Sequence, residues 1–159
     1  MGSLEWNLIG RQEMFVPYHN YKFDDPNASY KELLTKFHAN PDYIRYELKR
    51  VWVAEGTLRE GERHIYGKRH MYIDADTWFM VMADNYDARG GLWRTSMVNY
   101  FYAYEAQTWQ AGVGFYHDLQ ASSYLAFNLV NEQPKGYTLN TGELNDRDFG
   151  PQAARRAGL

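Results

Sequence analysis

Five histidines, a scatter of aspartates and one serine pair are the side chains that could carry chemistry here. Metal binding is tested first. His64 and His70 fall on the same face of one strand-like stretch, but six residues of strand put them about 20 Å apart. Metal–nitrogen bonds are about 2 Å, so the two cannot hold one ion. His117 and Asp118 are neighbours on opposite faces of a strand, and His19 and His38 border loops. No HExxH, His-x-His or EF-hand spacing occurs, and no metal site is expected. Asp74, Asp76, Asp84 and Asp87 stand at strand ends. Paired carboxylates do acid/base work when a pocket raises one pKa. Aspartate also accepts backbone N–H groups in tight turns, and that assignment is preferred. Ser122 and Ser123 lack a nucleophile-elbow setting, and "GVG" (112–114) is no phosphate loop. Its glycines suit a bend or bulge in a curved strand. No catalytic residue and no cofactor are assigned. An enzyme acting on a hydrophobic small molecule would need His70, Tyr72 or Asp84 to converge in one pocket.

The elements that must position these groups are strands. The 159 residues suffice for one domain with a sizeable core, and 45% are hydrophobic. Aromatics reach 17%, with 14 Tyr and 5 Trp, residues that suit half-buried sheets and binding surfaces. A net charge of −3 argues against nucleic acid as a partner. No apolar run is long enough for a membrane-spanning helix. The absence of cysteine excludes disulfides and thiolate chemistry. No signal peptide precedes Leu4, and a chain opening on a strand is expected to be part of a longer protein.

"EWNLIGRQEMFVPYH" reads as a long strand, Glu5 to Val16, ended by Pro17. Ser29 followed by Glu32 is a capping-box spacing, and Leu33, Leu34 and Phe37 give one helical face, so a helix is expected over Ser29–Phe37. From Tyr43 the chain becomes a meander: "IRYELKRVWVAEGTL", "RHIYGKRHMYID" (Arg63 to Asp74), "TWFMVMADNY", "LWRTSMVNYFYAYE", "GVGFYHDL" and "SSYLAFNLV". The breaks carry Gly, Asp, Asn or Ser, and strands joined by short turns pair antiparallel. The fold class is mainly β: a meander of about seven strands forming a curved sheet or incomplete β-barrel, with one or two short helices. One domain over 1–159 is expected, with 132–159 a polar C-terminal tail whose "DFGPQAARR" forms a short helix.

The stretch from Trp78 to Ala83 is apolar at every position, where a strand with one wet face should alternate. Period-two counting puts Trp78, Met80 and Met82 on one face and Thr77, Phe79, Val81 and Ala83 on the other. In the next strand Trp93, Met97 and Phe101 share a face. Two apolar faces need two covers. An apolar ligand is one candidate, since methionine adapts to varied guests; core filler is the competing role for each Met. The ligand-lining set is Trp78, Met80, Met82, Trp93, Met97 and Phe101, and the face with Phe79 and Val81 is the alternative lining. Glu55, Arg63, Lys68, Arg69 and Arg94 lie within strands, where a few could read a head group at a cavity mouth.

"RVWVAEGTLREGERHIYGKRHMYIDADTW" (Arg50 to Trp78), "ADNYDARGGLWR" (Ala83 to Arg94) and "YHDLQASSYLAFNL" (Tyr116 to Leu129) together resemble the C-terminal part of a Gram-negative family of unknown function that is outer-membrane lipoprotein-sorting-like. "LIGRQEMFVPYHNYKF" (Leu8 to Phe23) and "NPDYIRYELKRVWV" (Asn40 to Val53) fit the same family. The resemblance implies a longer periplasmic or outer-membrane-associated protein and a fold similar to the lipoprotein-localisation carriers, an incomplete β-barrel holding acyl chains. It carries no catalytic residues. The function expected from it is a non-catalytic binding or transport module for a lipid or other hydrophobic small molecule. The alternative is an interaction module among envelope transport proteins, or a homodimer that covers the second face with its own copy.

Overall fold

The computed structural model describes residues 2–134, 136, 138, 139, 141, 142 and 144–158. Seven strands pair antiparallel in sequence order into one open sheet: β1 (Leu4–Pro17), β2 (Tyr46–Leu58), β3 (Lys68–Asp74), β4 (Met80–Tyr86), β5 (Leu92–Ala103), β6 (Thr108–Asp118) and β7 (Ser123–Phe127). The mainly-β meander expected from the sequence is the fold observed. Helix α1 (Tyr30–Leu33) lies between β1 and β2, and α2 (Pro151–Ala157) follows the sheet, with Pro151 in its first turn. Of the polar tail over 132–159, residues 135, 137, 140, 143 and 159 lie outside the described residues.

The expected helix over Ser29–Phe37 is shorter than its apolar spacing suggested. Ser29 caps it, accepting from the Glu32 backbone N–H while Glu32 accepts from the Ser29 N–H at 3.0 Å. One turn later the chain reverses: Leu34 pairs with Ala39, and Phe37 adopts φ 75°. Leu33 is the residue α1 buries completely. The strand expected from Arg63 begins only at Lys68, because the chain first closes a loop in which the Leu58 N–H donates to the Gly67 carbonyl at 2.9 Å.

The sheet curls so that the end of β1 returns against β4 and β5, which defines an inner and an outer face. Val16, Tyr18, Val51, Val53 and Val81 close one end of the inner face. Phe23, Leu33 and Ala39, from the connection between β1 and β2, cover Val113 and Phe115 at the β6 side. That connection is therefore the cover for the inner face. On the outer face Leu8, Phe15, Leu48 and Leu125 stand between 57% and 66% exposed.

Candidate functional site

Register builds the site. Reading across the sheet, Val53, Tyr72, Met82, Met97, Phe115 and Ala126 are successive cross-strand partners on the inner face. The parallel row two residues along each strand is Glu55, His70, Asp84, Thr95, His117 and Tyr124. Same-face residues two apart lie about 7 Å from each other, so the apolar row borders the polar one directly. Both ends of the apolar row are packed, Val53 in one core cluster and Phe115 in the other. Its middle also touches these clusters, Tyr72 and Met82 the first and Met97 the second, but stays only half-buried. The inner face thus has an apolar floor that the cover leaves partly open and a rim of titratable groups.

The rim is knit by side-chain hydrogen bonds. His70 Nε2 lies 2.7 Å from Glu55 Oε2, and Tyr86 Oη lies 3.4 Å from His70 Nδ1. A carboxylate at Nε2 selects the Nε2–H tautomer, so Nδ1 accepts from the Tyr86 hydroxyl. Tyr72 donates to Asp84 Oδ2 at 2.8 Å. Lys68 reaches Glu55 at 3.9 Å and sits 4.5 Å over the Tyr86 ring. Burial first, and then the bond to and charge of Asp84, hold the Tyr72 hydroxyl far above the ordinary tyrosine range. Tyr86 is raised by burial and by the charges of Asp84 and Glu55. Neither tyrosine is suited to act as a base near neutral pH. Both serve as fixed donors. Further along the rim, burial and then His38 push the His117 pKa below the usual histidine value.

The six ligand-lining candidates occupy five places. Met82 and Met97 are direct partners on the inner floor, where the Tyr46 hydroxyl reaches the Met97 sulfur at 3.6 Å. Met80 opens β4, and its carbonyl accepts from the Tyr100 hydroxyl at 3.4 Å. Trp78 sits in the turn before β4 at φ 63°, 69% exposed and stacked on Trp52. Trp93 is the extra residue of a bulge between β4 and β5, and its Nε1–H donates to Asp118 at 3.1 Å. Phe101 packs against Tyr21. His70, Tyr72 and Asp84, spread over two strands, do come together on the inner rim, and Glu55 joins them from β2. The hairpin turn brings Asp74 against Phe79 and Ile73 against Met80, and the bulge at Val81 then shifts the register by one, so counting outward from the turn would have put position 70 opposite 83 rather than 84.

A cleft of about 440 Å³ opens near the β6–β7 turn, lined by Tyr66, Arg94, Tyr116, His117, Asp118 and Tyr124 among others. Its charges are mutually satisfied: Arg94 Nε donates to Asp118 at 2.9 Å, and its other arm reaches the Tyr66 hydroxyl at 3.2 Å. No group of three metal-ligating side chains occurs among the described residues.

Residues 1–155 match the family described as protein of unknown function (DUF1329). The chain belongs to this family. It is 41% identical over 155 residues to the uncharacterized protein PA3922 of Pseudomonas aeruginosa, covering 98% of this chain and 34% of that protein. Among solved structures it is similar to a putative outer membrane lipoprotein-sorting protein domain from Vibrio parahaemolyticus, at 16% identity and TM-score 0.45, covering 97% of this chain and 49% of that one. It is likewise similar to a DUF1329 family protein from Desulfovibrio piger, at 15% identity and TM-score 0.46, covering 95% and 47%. The chain spans about a third of the curated relative and about half of each solved chain.

Proposed function

We propose that this chain is a non-catalytic binding module for a lipid-like amphiphile, seated on the inner face of the sheet. One observation carries the proposal: Tyr72, Met82 and Met97, in one row, are only partly buried by the core clusters they pack against and are bordered by a titratable rim. Soluble domains bury such rows; leaving a methionine pair accessible supports an adaptable contact for an acyl or sterol-like body. Burying a long acyl chain yields about 0.8 kcal/mol per CH₂, on the order of 10 kcal/mol gross before ordering costs. That suffices for micromolar or tighter binding. The ligand contacts proposed are Met82, Met97 and Tyr72. The same proposal places the module in the periplasm or at the outer membrane, in the company of envelope transport proteins, as the sequence resemblance implies.

The test is organic-solvent extraction of the purified protein followed by mass spectrometry. A stoichiometric lipid-like species supports the proposal and identifies the guest class. Met82→Glu puts a charge on the floor; if folding and ligand content both survive it unchanged, the floor is elsewhere. A second reading, an assembly surface, has the exposed outer face in its favour, with Leu8, Phe15 and Leu48 all more than half exposed. A clean extract together with a dimeric mass would select it.

A further inference from the structure

We propose that the ligand's head is an organic cation, such as an ammonium group, and that Asp84 receives it. This inference rests on the inner-face binding reading above and names the chemistry of its polar end.

The argument starts from charge balance on the rim. Glu55 is served twice: His70 bonds its Oε2 at 2.7 Å and Lys68 stands 3.9 Å from the same oxygen. Asp84 has no such support. Its Oδ2 accepts from Tyr72 at 2.8 Å, and no cationic side chain pairs with it among the described residues. His70, the cross-strand neighbour of Asp84, has both ring nitrogens engaged, by Glu55 and by Tyr86. The next residue along the row is Thr95, which is neutral. Glu55 therefore has Lys68 and His70 on it, whereas Asp84 is the rim carboxylate with no ion-pair partner among the described residues.

Position makes this charge relevant to a ligand. Asp84 lies two residues beyond Met82 on the same face of β4. A guest whose apolar body rests on Met82 and Met97 therefore brings its head to the carboxylate, about 7 Å away. Tyr72, on the facing strand, bonds the same carboxylate through its hydroxyl and so brings its ring beside that position, and aromatic rings attract organic cations. An anionic head would meet Asp84 and Glu55 as like charges. Lys68, on the facing strand, is already committed to Glu55 and the Tyr86 face.

The experiment compares three probes of one chain length, dodecylammonium, dodecanol and dodecanoate, below their micelle concentrations, by calorimetric titration of the delipidated protein at neutral pH. The expected result is dodecylammonium binding at least about tenfold tighter than either of the others. Asp84→Asn should abolish that preference while leaving dodecanol binding intact, and that retained binding also shows that the variant is folded. Asp76→Asn, in the turn before β4, should keep it. If all three probes bind alike, or dodecanoate binds best, the head-group inference fails and the apolar floor stands. If none binds, the inner-face reading itself fails. A preference that survives Asp84→Asn overturns the role of Asp84.

Discussion

Gly114 offers the sharpest test of the packing at the sheet's far edge. It pairs with Phe127 across β6 and β7, and the Phe127 ring lies flat over it. A Cβ added at Gly114 would overlap Phe127 Cε1 and Cζ. The nearest atoms belong to a side chain on an edge strand, so in Gly114→Ala the ring swings out rather than the backbone yielding. Phe127 is 36% exposed. About two-thirds of a phenylalanine's roughly 200 Å² is then buried, some ~130 Å², worth about 3 kcal/mol at 25 cal/mol/Å² as an upper figure. The stacking of Phe127 on Tyr116 is lost as well. Replacing a strand glycine by alanine returns about 0.5–1 kcal/mol. The expected net loss is about 2 kcal/mol, read as a lower urea midpoint at constant slope by far-UV circular dichroism. The decisive comparison is the same change in a Phe127→Ala background. With no ring to displace, Gly114→Ala should there be neutral or stabilising by up to about 1 kcal/mol. An equal cost in both backgrounds would refute the ring as the cause and would point to the β6 backbone instead.

Three further outcomes follow from single sites. Asp74, fully buried, accepts from Thr77 Oγ1 at 2.6 Å, from the Thr77 N–H at 3.0 Å and from Tyr18 at 3.1 Å. Asp74→Ala should therefore cost about 3 kcal/mol in chemical denaturation, and a loss under about 1 kcal/mol would show that the turn stands without it. Burial lowers the His117 pKa, so the unfolded chain takes up the proton first; its contribution is complete above the unfolded value of about 6.5 and is lost as pH falls through the folded one. His117→Gln should accordingly flatten the decline in stability as pH falls below about 6.5, and an unchanged slope would remove His117 as a source of it. Ser29→Ala removes the cap of α1 and should cost about 1 kcal/mol, seen as faster amide exchange at Leu33 and Leu34.

The strands were legible because each is a stretch long enough to be a strand between breaks that carry turn formers; β1 begins and ends within a residue or so of its expected bounds. The α1 start was legible from Ser29 and Glu32, since a cap is a local contract between residues three apart. Face assignment was less legible, because bulges reset the period without leaving a mark in composition. Between Tyr72 and Ile73 of β3 the register on β4 jumps from Met82 to Met80, which makes Val81 an extra residue and sends it into the inner core. At Trp93 an extra residue again breaks the count, and the indole reaches Asp118 instead of the floor. Past the irregularity at Val98, Tyr100 rather than Phe101 packs with the inner cluster. The rim was hidden for a different reason. Glu55, His70 and Asp84 are 15 and 14 residues apart along the chain, and only cross-strand register makes them neighbours.

These bulges also explain why six consecutive apolar residues need not mean a strand covered on both sides. Trp78 belongs to a turn and is exposed on Trp52. Phe79 stacks on Tyr100 at 4.6 Å, and Met80 opens the strand. Val81 is the bulge residue, sealed in the inner core. Only Met82 and Ala83 alternate as an ordinary strand does, Met82 inward and half-open, Ala83 outward and fully buried beside Met71. The run is apolar for separate reasons, and just one of them, the half-buried Met82 beside Met97, leaves apolar surface facing a titratable rim. A sequence that merely needed core at this position would be served by a β-branched residue, as Val81 shows one position earlier. The unbranched, flexible side chain at position 82, facing its like at position 97, is the kind that the proposed changeable occupant would require.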